Sequence, residues 1–188
     1  MGKRLFVAVK IRASNQLISV YKSLQEKLII DRIKWVEYDN FHLTLKFLGD
    51  TDEQLLPEII SKIENLLKRF NQFKITLLGF GRFLKKKHTK VIWLGVEDPN
   101  KLLSLLAVKL NNNLKGLGFK IEQKEFKPHL TLGRVKYIQD EKILSDFIRF
   151  HSNKQYQEII IDEIILFESI LTSKGPIYNK LKIFKLSG

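Results

Sequence analysis

The strongest structural signal in the sequence is the stretch Phe41-His42-Leu43-Thr44-Leu45-Lys46-Phe47-Leu48-Gly49, because its inner tetrapeptide His-Leu-Thr-Leu occurs a second time at residues 129–132. Each copy alternates polar and apolar residues, which is the period of a strand that is buried on one face only. The leucines therefore face a core, while the His and the Thr lie on the opposite face, about 6.6 Å apart along the strand. The sequence thus predicts two strands that each present an imidazole and a hydroxyl, and that can together build one site from two halves of the chain.

The separation of the two copies, from His42 to His129, is close to half of the 188-residue chain. Strand–helix–strand patterns occur in both halves, and no linker rich in Gly, Pro or Ser separates them. We therefore expect residues 1–188 to form a single domain with a pseudo-duplicated α+β architecture, in which two lobes interleave.

Hydrophobic periodicity and capping signals predict about four helices and at least eight strands. Ser14 is a suitable N-cap for the first helix, and Asp98-Pro99 is expected to begin a later one. Between them, a break at residues 79–81 is predicted to separate a strand over 73–78 from a basic loop over 82–88. A further helix is predicted over 140–150, and the alternating tail over 177–186 reads as a closing strand.

Charge and composition narrow the classes of function. The chain has 33 basic and 20 acidic residues, for a formal net charge of +13, which favours a polyanionic partner or an anionic substrate. Cysteine is absent, so a disulfide framework, a thiolate metal site and a cysteine nucleophile are excluded. The first apolar run is too short for a signal peptide, and no run reaches the roughly 18 residues of a membrane span. The expected protein is cytoplasmic and does not contact a membrane.

Two imidazoles that face each other across a cleft are suited to in-line displacement at phosphorus. Histidine titrates near neutral pH, so a neutral His42 or His129 can accept a proton while its protonated partner donates one. The hydroxyls of Thr44 and Thr131 can donate hydrogen bonds to the non-bridging phosphate oxygens as charge builds up there. This chemistry requires no metal and no cofactor, and from the residues alone the two histidines are interchangeable.

Other readings of the same residues compete with this one. A zinc site would need a third ligand; Asp50, Glu37 and Glu125 lie near the motifs in sequence, but no His-x-His or His-x-x-x-His spacing supports a metal. A serine-type triad is disfavoured because Gly-x-Ser-x-Gly does not occur. A single histidine on a strand is usually structural, so only the repeated pair of His and Thr indicates a site.

Several further residues carry two interpretations each. His88 follows three lysines and is either part of a solvated basic loop or an RNA-contacting tip, whereas His151 is expected at the surface. Phe41, Phe47 and Phe126 lie beside the motifs, where each either joins the core or stacks on a base.

With both motifs in hand, the sequence strongly resembles the 2H phosphoesterase superfamily, and specifically the LigT-type RNA 2′,3′-cyclic phosphodiesterases, which are also called 2′-5′ RNA ligases. The resemblance covers nearly the whole chain. It rests on residues 4–8, 40–49, 91–96 and 126–134, which read RLFVA, NFHLTLKFLG, VIWLGV and FKPHLTLGR.

The resemblance implies a bilobal fold, with two antiparallel sheets that face a central cleft and helices packed outside. It implies that His42 and His129 are the catalytic acid–base pair and that Thr44 and Thr131 hold the phosphate. It further suggests that His129 activates water while His42 protonates the departing ribose O3′. Arg134 matches a position where the family often has a basic residue near the phosphate, although strict alternation from His129 would put it on the leucine side, so a bulge or strand end must turn it.

We therefore expect a metal-independent enzyme that opens RNA 2′,3′-cyclic phosphate ends to 2′-phosphates. A second expected activity is 2′-5′ joining of RNA ends without ATP, since no Gly-x-x-x-x-Gly-Lys-Ser loop is present. The alternatives are a phosphodiesterase for 2′-5′ oligoadenylate or a small cyclic nucleotide, and a non-catalytic RNA- or nucleotide-binding module. The expected partner is RNA or a nucleotide with a cyclic phosphate end, and the expected oligomeric state is a monomer.

Overall fold

A computed structural model describes residues 2–120, 122, 124–173 and 175–188. This part of the chain contains four α-helices, nine β-strands and three short 3-10 turns. The helices are α1 (Asn15–Lys27), α2 (Leu56–Leu67), α3 (Leu102–Asn113) and α4 (Glu141–His151). The strands are β1 (Gly2–Lys10), β2 (Arg32–Trp35), β3 (His42–Asp52), β4 (Phe73–Lys85), β5 (His88–Glu97), β6 (His129–Tyr137), β7 (Gln155–Ile161), β8 (Glu163–Thr172) and β9 (Gly175–Lys185).

The strands form two antiparallel sheets. One sheet has the order β3-β1-β8-β9 and will be called sheet A; the other has the order β2-β6-β5-β4-β7 and will be called sheet B. The first motif lies on β3 in sheet A and the second on β6 in sheet B, and these two strands contact each other where the sheets meet. The predicted fold class, α+β with two antiparallel sheets about a central cleft, is confirmed.

Connectivity shows how the duplication is built. In both halves the motif strand pairs antiparallel with a strand that precedes it by one helix, β1 with β3 and β5 with β6. The chain also crosses between the sheets, since β1 and β3 belong to sheet A while β2 and β4 belong to sheet B. Each sheet is therefore assembled from residues of both halves.

The helices cover the outer faces of the sheets, with α2 and α3 against sheet A and α1 and α4 against sheet B. Ser14 caps α1 as predicted, its hydroxyl accepting a hydrogen bond from the Leu17 backbone N–H at 3.2 Å. The hydroxyl of the fully buried Tyr21 contacts two carbonyl oxygens, of Val36 at 2.8 Å and of Leu132 at 3.0 Å. Tyr21 thus ties α1 to the end of β2 and to the second motif strand.

Two sequence predictions about boundaries are wrong. Residues 79–85 do not leave the sheet, because β4 continues to Lys85 through a bulge at Gly79, where φ is +64° and a side chain would meet the Ser152 carbonyl. Helix α3 begins at Leu102 rather than at Pro99. Asp98 nevertheless caps it, since its carboxylate accepts the backbone N–H groups of Leu102 at 3.0 Å and of the next residue at 2.7 Å.

No helix in the described ranges is both long enough and apolar enough to cross a membrane.

Candidate active site

The two histidines and two threonines of the motifs lie on the cleft side of their strands. On β3, the residue opposite Thr44 is Ala8, which belongs with Phe6 to a small apolar cluster on the inner face of sheet A. On β6, Thr131 pairs with Trp93 of β5. The leucines that alternate with these residues are buried in the main core, as the period of the motif predicts.

Both motif strands contain a bulge at the same place, at the second leucine. In β3 the register against β1 shifts between Val7 and Ala8, and in β6 the register against β5 shifts between Ile92 and Trp93. A bulge adds one residue to a strand and so changes which residues share a face. Arg134 is consequently exposed, while its neighbours on both sides in the chain are buried.

Each motif histidine is oriented by the same backbone contact. His42 Nδ1 lies 2.6 Å from the carbonyl oxygen of Asn40, and His129 Nδ1 lies 2.7 Å from the carbonyl oxygen of Lys127. A carbonyl only accepts, so Nδ1 must carry the proton, and the lone pair of the neutral ring is on Nε2. Both rings therefore offer the same nitrogen for proton transfer, in the same tautomer.

Aromatic side chains enclose the two imidazoles to different degrees. The His42 ring lies between Phe6 and Tyr178, with ring centroids 5.1 Å and 5.2 Å away. Among the aromatic rings of the described residues, Phe83 alone packs against His129, in a T-shaped pair with centroids 4.9 Å apart. The first histidine is therefore the more strongly desolvated of the two.

This enclosure lowers the pKa of both histidines. Burial is the largest cause in each case, and it lowers the pKa of His42 from 6.5 to about 4. The positive charge of Arg134 lowers the pKa of both rings further, and the charge of a protonated His129 also lowers the pKa of His42. Both imidazoles are thus neutral at pH 7 before an anion binds, and the cleft is a place where an anion would relieve unfavourable charge interactions.

Two cations border the paired imidazoles. The positive charge of Arg134 on β6 acts to lower the pKa of His42, His129 and Tyr178, so its guanidinium lies on the cleft side of sheet B. Lys10 pairs with His42 across β1 and β3, and its ammonium group donates to the Asp39 carbonyl. Sequence reasoning missed Lys10, because its place beside His42 depends on the register of β1 against β3, which no local pattern reveals.

The hydroxyls of Thr44 and Thr131 make no hydrogen bond to other described residues, although both side chains are partly buried. A hydroxyl on a cleft wall without a protein partner can donate to a ligand at little cost. The geometry thus provides two imidazoles, two hydroxyl donors and two cations around one space, which suits a phosphate group that is attacked and released on opposite sides.

The remaining residues that the sequence singled out have different surroundings. Phe41 is fully buried and Phe126 packs against the core, so both are core residues, whereas Phe47 is 54% exposed and lies near Phe6. His88 is exposed at the start of β5.

The fourth histidine, His151, ends α4 and is half-buried. Its ring stacks on Phe147 with centroids 4.2 Å apart, and Nδ1 contacts the Tyr156 hydroxyl at 2.5 Å. His151 is therefore partly buried against α4 and β7, rather than fully at the surface as the sequence predicted.

Within the residues that the structure describes, no three His, Cys, Asp or Glu side chains are grouped so that they could hold a metal ion.

Comparison with known proteins gives the family. The family model described as LigT like Phosphoesterase matches the chain twice, at residues 9–93 and 94–178, with one His-Leu-Thr-Leu motif in each match. A protein of Archaeoglobus fulgidus named RNA 2′,3′-cyclic phosphodiesterase is 38% identical over 182 residues, which are 97% of this chain and 99% of that protein. A Thermotoga maritima protein of the same name is 42% identical over 149 residues, covering 78% of this chain and 76% of that protein.

Solved structures show the same architecture. A crystal structure of a Thermus thermophilus protein superposes with a TM-score of 0.79 at 27% identity, covering 98% of each chain. The crystal structure of E. coli LigT complexed with 3′-AMP superposes with a TM-score of 0.77 at 22% identity, covering all of both chains, and supports the fold alone.

Proposed function

This chain belongs to the LigT-like phosphoesterase family, and on that premise we propose that it hydrolyses RNA 2′,3′-cyclic phosphate ends to 2′-phosphates by a metal-independent mechanism with two histidines. The observation that carries the proposal is the matched pair His42 and His129. Each is fixed through Nδ1 to the carbonyl of the residue two positions earlier, which leaves Nε2 of each ring for proton transfer. The names of the curated relatives support the substrate class.

In the proposed reaction the cyclic phosphate lies between the two imidazoles. His129 takes a proton from water as the water oxygen bonds to phosphorus. On the opposite side the bond from phosphorus to O3′ breaks, and protonated His42 gives its proton to that oxygen. The product has a free 3′-hydroxyl and a 2′-phosphate, and one proton has passed to His129 and one has left His42, so a second transfer through solvent restores the starting state.

The protonated histidine has to be generated by the substrate. Burial keeps the pKa of both rings low in the free cleft, so neither holds a proton at pH 7. A bound phosphate monoanion raises the pKa of a neighbouring imidazole, because the opposite charge favours its protonated form. Thr44, Thr131 and Arg134 would hold the non-bridging oxygens, with Lys10 on the side of His42.

The same displacement explains the proposed second activity. If a 5′-hydroxyl of another RNA occupies the place of water, the product is a 2′-5′ linkage, and the leaving O3′ is unchanged. No nucleoside triphosphate is consumed, since the cyclic ester itself supplies the leaving group. We further propose that residues 1–188 act as one domain and as a monomer, because both motifs belong to the same chain. A cytoplasmic location stays a prediction.

Hydrolysis of an RNA oligonucleotide that ends in a 2′,3′-cyclic phosphate, with a chelator present, tests the proposal. The expected product is exclusively the 2′-phosphate, formed at the same rate with and without chelator. A 3′-phosphate product would show that O2′ leaves instead, and loss of turnover with chelator would contradict the metal-free mechanism. Absence of turnover here, followed by turnover of 2′-5′ oligoadenylate, would favour the alternative phosphodiesterase; absence of both would favour a binding module.

A further inference from the structure

The hairpin formed by β4 and β5 carries a basic turn that the proposed chemistry does not use. Its last paired residues are Lys85 and His88, so Lys86 and Lys87 form a two-residue loop. Both loop residues have positive φ, of 49° and 67°. Two-residue hairpin loops in which both residues have positive φ prefer the sequence Asn-Gly, and a lysine in this conformation is strained. Two lysines at the least suitable positions call for an explanation outside folding, and strain of this kind concentrates at functional sites.

The part of the hairpin just before the turn borders the cleft. Phe83, two residues before Lys85, meets the His129 ring at a centroid distance of 4.9 Å. The strand pairing shows that the hairpin extends away from His129. His129 pairs with Gly95 of β5, whereas Val91, which is closer to the turn, pairs with Arg134 on one side and with Phe83 on the other. The stretch of β5 from Gly95 back to the turn at residue 88 spans about 23 Å. The turn is therefore a distal extension of the wall that holds the second motif.

Several cations of this wall have no acidic partner among the described residues. Lys34 of β2 pairs with Arg134, so the two basic side chains lie in one row across sheet B. In the described ranges, neither these two residues nor the three lysines at residues 85–87 take part in a salt bridge, whereas Lys182 and Lys185 on sheet A both do. Several unneutralised cations on the sheet that carries the second motif, at Arg134, beside it and at the tip of the hairpin, fit a polyanion better than a single phosphate.

The hairpin is also held rigidly from behind. Glu141, the first residue of α4, accepts a hydrogen bond from Arg82 at 2.6 Å, from the Thr89 backbone N–H at 3.1 Å and from the Thr89 hydroxyl at 2.8 Å. One carboxylate thereby clamps both strands just before the turn and neutralises the one arginine of the hairpin. The lysines beyond it are presented on a fixed support.

From these observations we propose that the β4–β5 turn binds the backbone phosphates of single-stranded RNA upstream of its cyclic end, chiefly through Lys86 and Lys87. The proposal rests on the proposed function, because it takes the cyclic end to lie between the two histidines. It adds a length requirement: a cyclic mononucleotide ends before the turn, whereas an RNA of about ten nucleotides reaches it, a length within the ~4–16 nucleotides of single-strand grooves.

The test variant is the double substitution Lys86→Asn and Lys87→Gly, which supplies the residues that the turn prefers. Its unfolding midpoint is expected to rise, so a loss of RNA binding cannot come from a damaged hairpin. The matched control is Lys22→Gln with Lys109→Gln, which removes the same charge from exposed positions on α1 and α3, away from the cleft.

For a ten-nucleotide RNA with a cyclic end, KM of the turn variant is expected to rise roughly tenfold at about 0.1 M salt, and the slope of log affinity against log salt to become shallower by about 1.4 for two lost contacts. The cyclic mononucleotide serves as the reference, and its KM should not change; the control variant should behave like the wild type. Equal KM values for wild type and turn variant on the long RNA would overturn the proposal.

A binding measurement separates failure of the hairpin proposal from failure of the proposed catalytic function. If the wild type cleaves neither substrate, the fluorescence anisotropy of a labelled ten-nucleotide RNA ending in 2′-phosphate still measures binding, and the same difference between the turn variant and the control is expected. Equal anisotropy titrations of wild type and turn variant would overturn the hairpin proposal independently of catalysis.

Discussion

The burial of His42 should make the folded protein sensitive to acid, and the size of the effect follows from the pKa. The pKa of His42 is about 4 in the folded chain against an ordinary value of 6.5. A histidine with a lowered pKa contributes stability that is complete above pH 6.5 and is lost as the pH falls toward 4, because only the unfolded chain then gains the proton. Between about pH 8 and pH 5 this loss amounts to roughly 2 kcal/mol.

The perturbation is His42→Asn, which removes the titrating group. Urea unfolding of wild type and variant at about pH 8 and pH 5 gives four free energies of unfolding, and their double difference isolates residue 42. The wild type is expected to lose roughly 2 kcal/mol more than the variant on acidification, a sizeable share of the ~5–15 kcal/mol of a typical domain. His129 and His151, whose pKa values are also lowered, are present in both proteins and cancel.

His88→Asn is the control, because this histidine is exposed at the hairpin. That variant should lose as much stability on acidification as the wild type. A His42→Asn variant that is as acid-sensitive as the wild type would refute the burial argument, and with it the claim that the His42 ring is neutral at pH 7 before substrate binds.

Three further predictions concern single side chains. Thr44→Val and Thr131→Val should each lower kcat for cyclic RNA roughly 10- to 1000-fold without altering the unfolding midpoint, and normal kcat in both would remove the threonines from the site. Arg134→Gln should raise KM and also move the optimum of kcat/KM to higher pH, because the lost positive charge lets the histidine pKa values rise; an unmoved optimum would place Arg134 outside the site. Tyr21→Phe should lower the free energy of unfolding by about 1–3 kcal/mol, since two buried carbonyls lose their shared donor, and an unchanged urea midpoint would contradict this.

Much of the fold was predictable because the decisive signals are local. The alternation in His-Leu-Thr-Leu placed the leucines in the core and the polar pair on the other face, and the structure agrees. Ser14 caps α1 through its side chain, as a short polar residue before an apolar period indicates. Repetition of the motif also predicted the duplication that the two family-model matches reproduce.

The errors arose where two strands or a strand and a helix determine the outcome together. The sequence around Gly79 and Gly81 predicts a break in the strand. In the structure, Gly79 forms a bulge that passes close to the Ser152 carbonyl, and Gly81 leaves space for the Trp93 ring, so the strand continues.

Lys46 shows the same dependence on strand pairing beside the first motif, because strict alternation would place it on the face of His42 and Thr44. The bulge in β3 instead turns it inward, where it is 2% exposed. Its ammonium group donates to Asn111 Oδ1 and to the Lys120 carbonyl, both at 2.6 Å. A lysine that the local pattern assigns to solvent is therefore a buried tether between β3 and the region after α3.

The same limit applies to the site. The sequence alone singled out His42, His129, Thr44 and Thr131, because the chemistry needs that repeated pair, and their catalytic roles remain predictions. The rings that enclose the histidines, from residues such as Tyr178, could not be identified, since they reach the cleft from strands distant in sequence. Local patterns show which residues can react, whereas register decides what surrounds them.

We expect His42 and His129 to act as an acid–base pair. The pH dependence of kcat/KM for cyclic RNA tests this pairing, measured with a chelator present in the wild type and in the His42→Ala and His129→Ala variants. The wild type should give a bell whose optimum lies below pH 6.5, as the lowered pKa values require, and each variant should lose one limb of that bell and roughly 100- to 10,000-fold in rate. A variant that keeps both limbs, or a rate within about tenfold of the wild type, would contradict the pair.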